Sequence, residues 1–187
     1  MKIYQYDTNK FDFKREIEFL FKLNDLSSIN ENKDLQKLYN EYLKSNSFLN
    51  IYVQFINEYI KPLYNNVPIA YQTTPVGRIA YKNKLNMDVF HKDKWYRQNT
   101  EYYDLQIYNI FLPFTDAFES NTIWTESIED KRDFYPLNCN YGQFVHWDGA
   151  NLLHGNVYNK TNKTRISIDF RIYEYKDTLS PIYTLLN

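Results

Sequence analysis

Residues 164–175 read Thr-Arg-Ile-Ser-Ile-Asp-Phe-Arg-Ile-Tyr-Glu-Tyr. The alternation is strict. In an extended chain Ile166, Ile168, Phe170 and Ile172 fall on one side, and Arg165, Ser167, Asp169 and Arg171 on the other. A strand with one buried and one wet face reads this way. So does a strand whose polar face looks into a barrel, where such groups are costly unless they are paired or bind something. The planar fork of Arg matches a carboxylate, and a hydroxyl two residues on reaches the same face. Arg165 with Ser167 is therefore the expected anchor for a carboxylate ligand.

Upstream of this strand the chain has two characters. The first third is helical in period. Phe11–Leu23 puts Phe13, Ile17, Leu20 and Phe21 on one stripe; Lys33–Lys44 does so with Leu35, Leu38, Tyr39 and Leu43; Phe48–Ile60 is a third apolar segment. Lys61-Pro62 is expected to end it, since the residue before Pro avoids the helical region. Ser27-Ser28 and Ser45-Asn46-Ser47 read as breaks with capping residues. After Pro68 the runs become short, β-branched and aromatic, with turn residues at intervals of roughly ten. Expected strands are Gly77–Lys82, Met87–His91, Leu105–Pro113, Thr122–Trp124, Phe144–Trp147, Leu152–Val157 and Thr164–Tyr175. The pattern predicts one domain over 1–187, mainly β with α: a helical part over 1–62 packed on a sandwich or jelly-roll core over 68–175.

Three histidines are present. In Val89-Phe90-His91-Lys92-Asp93, His91 and Asp93 share a face of an extended chain, and Lys92 points away. An imidazole and a carboxylate on one face make two-thirds of a two-His-one-carboxylate facial triad, which leaves metal positions open for oxygen chemistry. The third donor must come from elsewhere. His154 ends the apolar run Asn151-Leu152-Leu153, and Gly155 after it allows a turn or a close backbone approach. His146 is a rival, but Val145 and Trp147 beside it suit a strand interior, and its step to Arg165 is longer.

The order HxD, H, R resembles that of the Fe(II)/2-oxoglutarate-dependent oxygenases, and more closely their streptomycin-biosynthesis hydroxylase-like subgroup. Three stretches carry the resemblance: Phe90-His91-Lys92-Asp93; Asn109–Ala117 with Asn121–Ser127; and Asp148–Asn156 leading to Thr164–Arg171. It covers roughly residues 75–175. It implies a double-stranded β-helix (jelly roll) core, and Fe(II) held by His91, Asp93 and His154. 2-Oxoglutarate would chelate the metal through its keto-acid end and pair its far carboxylate with Arg165, helped by Ser167. Dioxygen would take the last position, and a small molecule would be oxidised, usually hydroxylated, with release of succinate and CO2. One departure is visible: where the family pattern has Trp in an Asn-x-Trp-x-Pro strand, this chain has Phe111.

Around these residues several assignments stay open. Asn109 either touches the co-substrate or bonds a neighbouring side chain. Arg78 either reaches the co-substrate or an anionic substrate group, or is a surface residue. Trp124 is core or pocket wall. Asp148-Gly149 reads as a turn, and Trp95–Asp104 as a lid or a connecting loop.

Composition narrows the field. Hydrophobic residues make up 43% of the 187, which fits a folded protein, and aromatics 19%, with 19 Tyr and 13 Phe, so rings build the core. Net charge is −1, so no basic excess favours nucleic acid. Cys139 stands alone, which excludes an internal disulfide and fits a reducing compartment; no leader or apolar span is visible, so the expectation is a cytoplasmic protein with no membrane partner. The Asn-Lys-Thr sequons at Asn159 and Asn162 then read as chance matches. Two other functions compete: a cupin-like metal isomerase or dioxygenase that needs no 2-oxoglutarate and uses Arg165 on its substrate, and a ligand-binding jelly roll without catalysis.

Overall fold

The computed structural model describes residues 1–85, 89–96, 106–176 and 182–187. A short strand β1 (Lys2–Gln5) precedes helices α1 (Phe13–Phe21), α2 (Lys33–Tyr42) and α3 (Asn46–Phe55). Then follow β2 (Ile69–Gln72), β3 (Val76–Ala80), β4 (Tyr108–Pro113), β5 (Ile123–Thr125), β6 (Tyr135–Pro136), β7 (Gln143–Trp147), β8 (His154–Asn156), β9 (Arg165–Glu174) and β10 (Tyr183–Leu186). Among the described residues no helix is long and apolar enough to cross a membrane.

Each helix starts on a capping side chain. Asp12 accepts from the Arg15 N–H, Asn32 from that of Asp34, and Ser45 from that of Phe48. Ser45 is a cap as expected. Ser27 and Ser28 instead lie inside a 3-10 turn (Leu26–Ser28) capped by Asp25. α3 does not stop before Pro62. It widens into a π turn (Ile56–Ile60) and closes with a 3-10 turn (Lys61–Tyr64) in which Pro62 sits at the start, where its missing N–H is not needed. The helical part also contains the strand β1, which pairs with β7 and so belongs to the sheet.

Among the described residues the larger sheet has seven antiparallel strands, in the order β1-β7-β4-β9-β2-β10, with β3 also paired to β9. β9 is its spine. Along one edge it pairs with β4 (Asn109 opposite Arg171, Phe111 opposite Asp169, Pro113 opposite Ser167); along the other it meets β3 (Arg78 opposite Ser167) and then β2. A smaller antiparallel sheet, β6-β5-β8, faces it. α2 covers the outer edge of β3: the Gln36 amide donates to Gly77 O and accepts from Ile79 N–H. An uncovered edge would offer those groups to another chain.

Ile166, Ile168, Phe170 and Ile172 are all fully buried in one cluster with Phe13, Ile17, Tyr39, Phe48, Tyr52 and Phe55 of the helices. Rings dominate it. Phe13 stacks on Phe114 at 5.2 Å, and Tyr52 meets Phe170 edge-on at 5.0 Å. A second cluster, with Phe111, Val145, Trp147, Leu137 and Cys139, fills the space between the sheets. Burial there pushes the Cys139 thiol up to about 12, so it packs as an inert apolar group. Asn159 is also fully buried. Its amide nitrogen donates to the carbonyls of Ala80, Tyr81 and Lys163, which ties the ends of β3 and β9 together.

Phe13→Ala should lower unfolding free energy by about 3–5 kcal/mol, whereas Phe19→Ala, at a ring 85% exposed, should change it by no more than about 0.5 kcal/mol. Urea denaturation of both variants checks the assignment of the core stripe.

Candidate metal centre

His91 and His154 are brought together by their own backbones. Each donates its N–H to the other's carbonyl, at 2.8 and 2.9 Å, so the two residues form a single antiparallel bridge on the edge of β8. This bridge needs Gly155: a Cβ there would stand 2.9 Å from the Phe90 ring and 3.1 Å from its Cα. Both imidazoles are oriented alike. Nδ1 of His91 donates to Val89 O at 3.0 Å and Nδ1 of His154 to Leu152 O at 2.9 Å. These bonds set the tautomer and leave each Nε2 facing inward.

Asp93 faces the same point, from a different local structure than the sequence suggested. It opens a 3-10 turn (Asp93–Tyr96) instead of continuing a strand, and is held by N–H bonds from Asp93 to Gly149 O and from Lys94 to Ala150 O. The turn swings the carboxylate under the two rings. Its Oδ1 lies 3.5 Å from His91 Nε2 and 3.9 Å from His154 Nε2, and one donor atom of each residue lies within 4.8 Å of the others. Oδ2 accepts from Asn109 Nδ2 and Arg171 Nε, both at 2.8 Å. Lys92 points away, as expected, into Glu129 and Asp130.

The electrostatics follow. Burial works to raise the Asp93 carboxyl, but hydrogen bonds from His91 and Arg171 and the Arg171 charge outweigh it and hold it far below the usual range. The hydrogen bond to Asp93 raises His91, while burial lowers His154. The group is a carboxylate held ionised between two imidazoles whose Nε2 atoms face inward, a donor set suited to a divalent transition metal when both rings are neutral.

Arg165 lines the same cavity, whose volume is about 250 Å³. It is 1% exposed, and among the described residues its Nε and Nη1 have no hydrogen-bond partner. Ser167 Oγ, also buried, has none. The guanidinium rests on the Phe111 ring at 5.3 Å, so the Phe that departs from the expected Trp supports the cation. Burial lowers Arg165 to about 10, which leaves it charged at neutral pH.

The remaining candidates separate. Asn109 bonds Asp93, the second of the two roles open to it. Arg78 lines the cavity and pairs with Asp169 at 3.5 Å. His146 points to the opposite face of β7, where Nε2 meets Tyr64 OH at 2.9 Å and burial lowers it to about 4. Trp124 is half-buried with its N–H on Glu119 O. Residues 87 and 88 of the expected strand Met87–His91 and 97–104 of the expected lid lie outside the described residues; Trp95 and Tyr96 are exposed, and the Tyr96 ring sits 5.2 Å from that of His91.

Sequence reasoning missed two residues. Arg171 shares the polar face of β9 with Arg165, so the alternation was the signal that could have found its role. Glu126, fully buried, accepts from the Leu153 and Arg132 N–H groups and holds the segment leading to His154; no spacing rule marks it.

No protein-family model matches the chain. Its fold is shared with two solved structures: CytC3 with Fe(II) and alpha-ketoglutarate (TM-score 0.58, 11% identity, 92% of this chain and 71% of that one), and the non-haem alpha-ketoglutarate-dependent carbocyclase SnoK from nogalamycin biosynthesis (0.50, 9%, 97% and 89%). In sequence it is similar to the streptomycin biosynthesis protein StrG of Streptomyces griseus, 33% identical over 119 residues, 61% of this chain. The match spans about half of that relative's length, 54%. The resemblance read from the sequence thus has a counterpart in both comparisons, in fold with CytC3 and SnoK and in sequence with StrG.

In the protein without metal, His91 should titrate above 6.5 and His154 below it. Asp93→Asn removes the partner that stabilises the His91 cation, so the His91 value should fall. Proton NMR of the imidazole C2–H signals checks the sign; an unmoved His91 would break the assigned contact.

Proposed function

We propose that this chain is an Fe(II)- and 2-oxoglutarate-dependent oxygenase that oxidises a small molecule, on a double-stranded β-helix core that with its helices forms one domain over 1–187. The observation that carries the reading is the pairing, in one cavity, of an inward-facing His91/Asp93/His154 set with Arg165, whose buried Nε and Nη1, like Ser167 Oγ on the same strand face, have no hydrogen-bond partner among the described residues. An unpaired buried cation costs several kcal/mol. A carboxylate seated on it would remove that penalty, and a dicarboxylate anchored there would extend toward the metal position. The donor atoms fit Fe(II), and the orphaned groups fit the far end of 2-oxoglutarate.

Fe(II) with 2-oxoglutarate and dioxygen supplies an oxidant able to attack an unactivated C–H bond, with succinate and CO2 as co-products. The chain's own part is binding and orientation. His91 Nε2, His154 Nε2 and Asp93 Oδ1 would hold the ion on one side and leave the other side free. Arg165 and Ser167 would fix the co-substrate's length and direction. Phe111 and Trp147 keep that wall dry, which strengthens the ionic contact. Arg78 and Tyr96, at the mouth, would meet the substrate. Hydroxylation of a sugar-like or natural-product precursor in the cytoplasm is the outcome the reading favours, in line with the biosynthetic setting in the names of StrG and SnoK.

Anaerobic Fe(II) titration decides the main point. Fe(II) should bind with about 1:1 stoichiometry and more tightly with 2-oxoglutarate present, with a weak visible charge-transfer band from the chelate. Binding indifferent to 2-oxoglutarate would favour the cupin-like alternative, and no binding would favour a ligand-binding module. Within the same assay His154→Ala should abolish Fe(II) binding.

Arg165→Ala should leave Fe(II) binding intact while the 2-oxoglutarate requirement rises by a factor on the order of 100, the loss of a charge-assisted pair of roughly 3 kcal/mol. Succinate release against 2-oxoglutarate concentration measures it, and an unchanged requirement would move the anchor elsewhere.

A further inference from the structure

We infer that Arg171 and Asn109 are positioning residues that confine Asp93 to ligation through a single oxygen; the inference rests on the metal reading above. The two donors come from adjacent strands in direct register, Asn109 of β4 opposite Arg171 of β9. Both aim at the same atom. Asn109 Nδ2 and Arg171 Nε each lie 2.8 Å from Asp93 Oδ2, while Oδ1 is the oxygen facing the two Nε2 atoms at 3.5 and 3.9 Å. With two strong donors on Oδ2, that oxygen is held away from the metal position.

The consequence is coordinative. A facial triad gives three protein donors and leaves three of six positions free. A carboxylate bound through both oxygens would take a fourth and leave two, too few for a two-point keto-acid chelate and dioxygen together. The lock therefore acts on how many positions stay open, besides neutralising a buried charge.

A third residue makes room for it. A Cβ at Gly149 would stand 2.7–2.9 Å from the Asn109 amide atoms, so any side chain there pushes Asn109 off Asp93. Gly149 sits beside the metal turn, its carbonyl accepting the Asp93 N–H. Glycine thus serves the amide's approach.

The test uses Arg171→Leu, Asn109→Leu and Gly149→Ala, the last acting on the lock without deleting either donor. Each is titrated anaerobically with Fe(II), then with 2-oxoglutarate at saturating Fe(II), while unfolding midpoints follow stability. The expected result is Fe(II) binding about 10- to 100-fold weaker in the Leu variants. At saturating metal, 2-oxoglutarate binding should weaken at least about tenfold and the charge-transfer band should shift or fade. A merely structural role would move the midpoints and leave the saturated chelate spectrum as in the wild type, which overturns the inference. If Arg171→Leu fails to fold, the other two variants decide. A wild type that binds no Fe(II) overturns the metal reading and the lock with it; a wild type with the chelate band and variants that match it overturns the lock alone.

Discussion

A single strand separates two incompatible environments, and the rest of the molecule is arranged around that constraint. On one side of β9, Ile166, Ile168, Phe170 and Ile172 have no solvent exposure and need an apolar partner layer. On the other, Arg165, Ser167, Asp169 and Arg171 need polar partners or a ligand. The three helices exist to meet the first demand: α2 and α3 press Tyr39, Phe48, Tyr52 and Phe55 onto the apolar face. The second demand is met only in part by the chain. Because the side-chain period is two, a one-residue slip would put guanidinium groups among the phenylalanines and isoleucines against the cavity. Register and site geometry are thus one property.

The donor cluster depends on backbone pairing more than on side-chain packing. The reciprocal N–H bonds of His91 and His154 join segments far apart in sequence, and each ring is oriented by a carbonyl two residues back. Glu126 holds the approach to His154 from one side, and Lys92, reaching Glu129 and Asp130, holds the approach to Asp93 from the other. Every element that sets the site's width is therefore tied to the small sheet or its loops, while Arg171 and Asn109 bind the carboxylate to the large one. The donor cluster therefore joins the two sheets: His154 belongs to β8 of the small one, and Asp93 is tied to β4 and β9 of the large one.

Periodicity carried much of this into the sequence. The helical stripes were legible because Phe13, Ile17 and Phe21, or Tyr39 and Leu43, recur at turn spacing, and β9 because its alternation is unbroken. Short strands were harder. β2, β6 and β10 offer four residues or fewer, too few to distinguish from a loop. β1 lacked signal for a different reason: it is an edge strand, with Lys2, Ile3 and Gln5 exposed, and it forms only because β7 offers a partner. Strand logic put His91 and Asp93 on one face; the structure brings their donor atoms to 3.5 Å, with Asp93 in a turn held by the Gly149 and Ala150 carbonyls instead of in a strand. Glu126 was not legible: its purpose is to accept N–H groups from two loops, and nothing local records that.

Charge gives the cavity its direction. Three guanidinium groups, of Arg78, Arg165 and Arg171, share it with two carboxylates, of Asp93 and Asp169. Arg171 is matched by Asp93 at 2.8 Å and Arg78 faces Asp169 at 3.5 Å. Arg165, the most buried of the three, makes no ion pair among the described residues; it rests on the Phe111 ring and feels the Asp169 charge without touching it. A structural Arg in that position would have been given a carboxylate by the fold, as the other two were, or replaced by an apolar side chain at little loss. A cation held charged and dry is costly until a counter-charge is seated on it. It lies in the same cavity as the three-donor cluster, so the polar face of β9 carries both the cavity's buried cation and, through Arg171, the partner of Asp93.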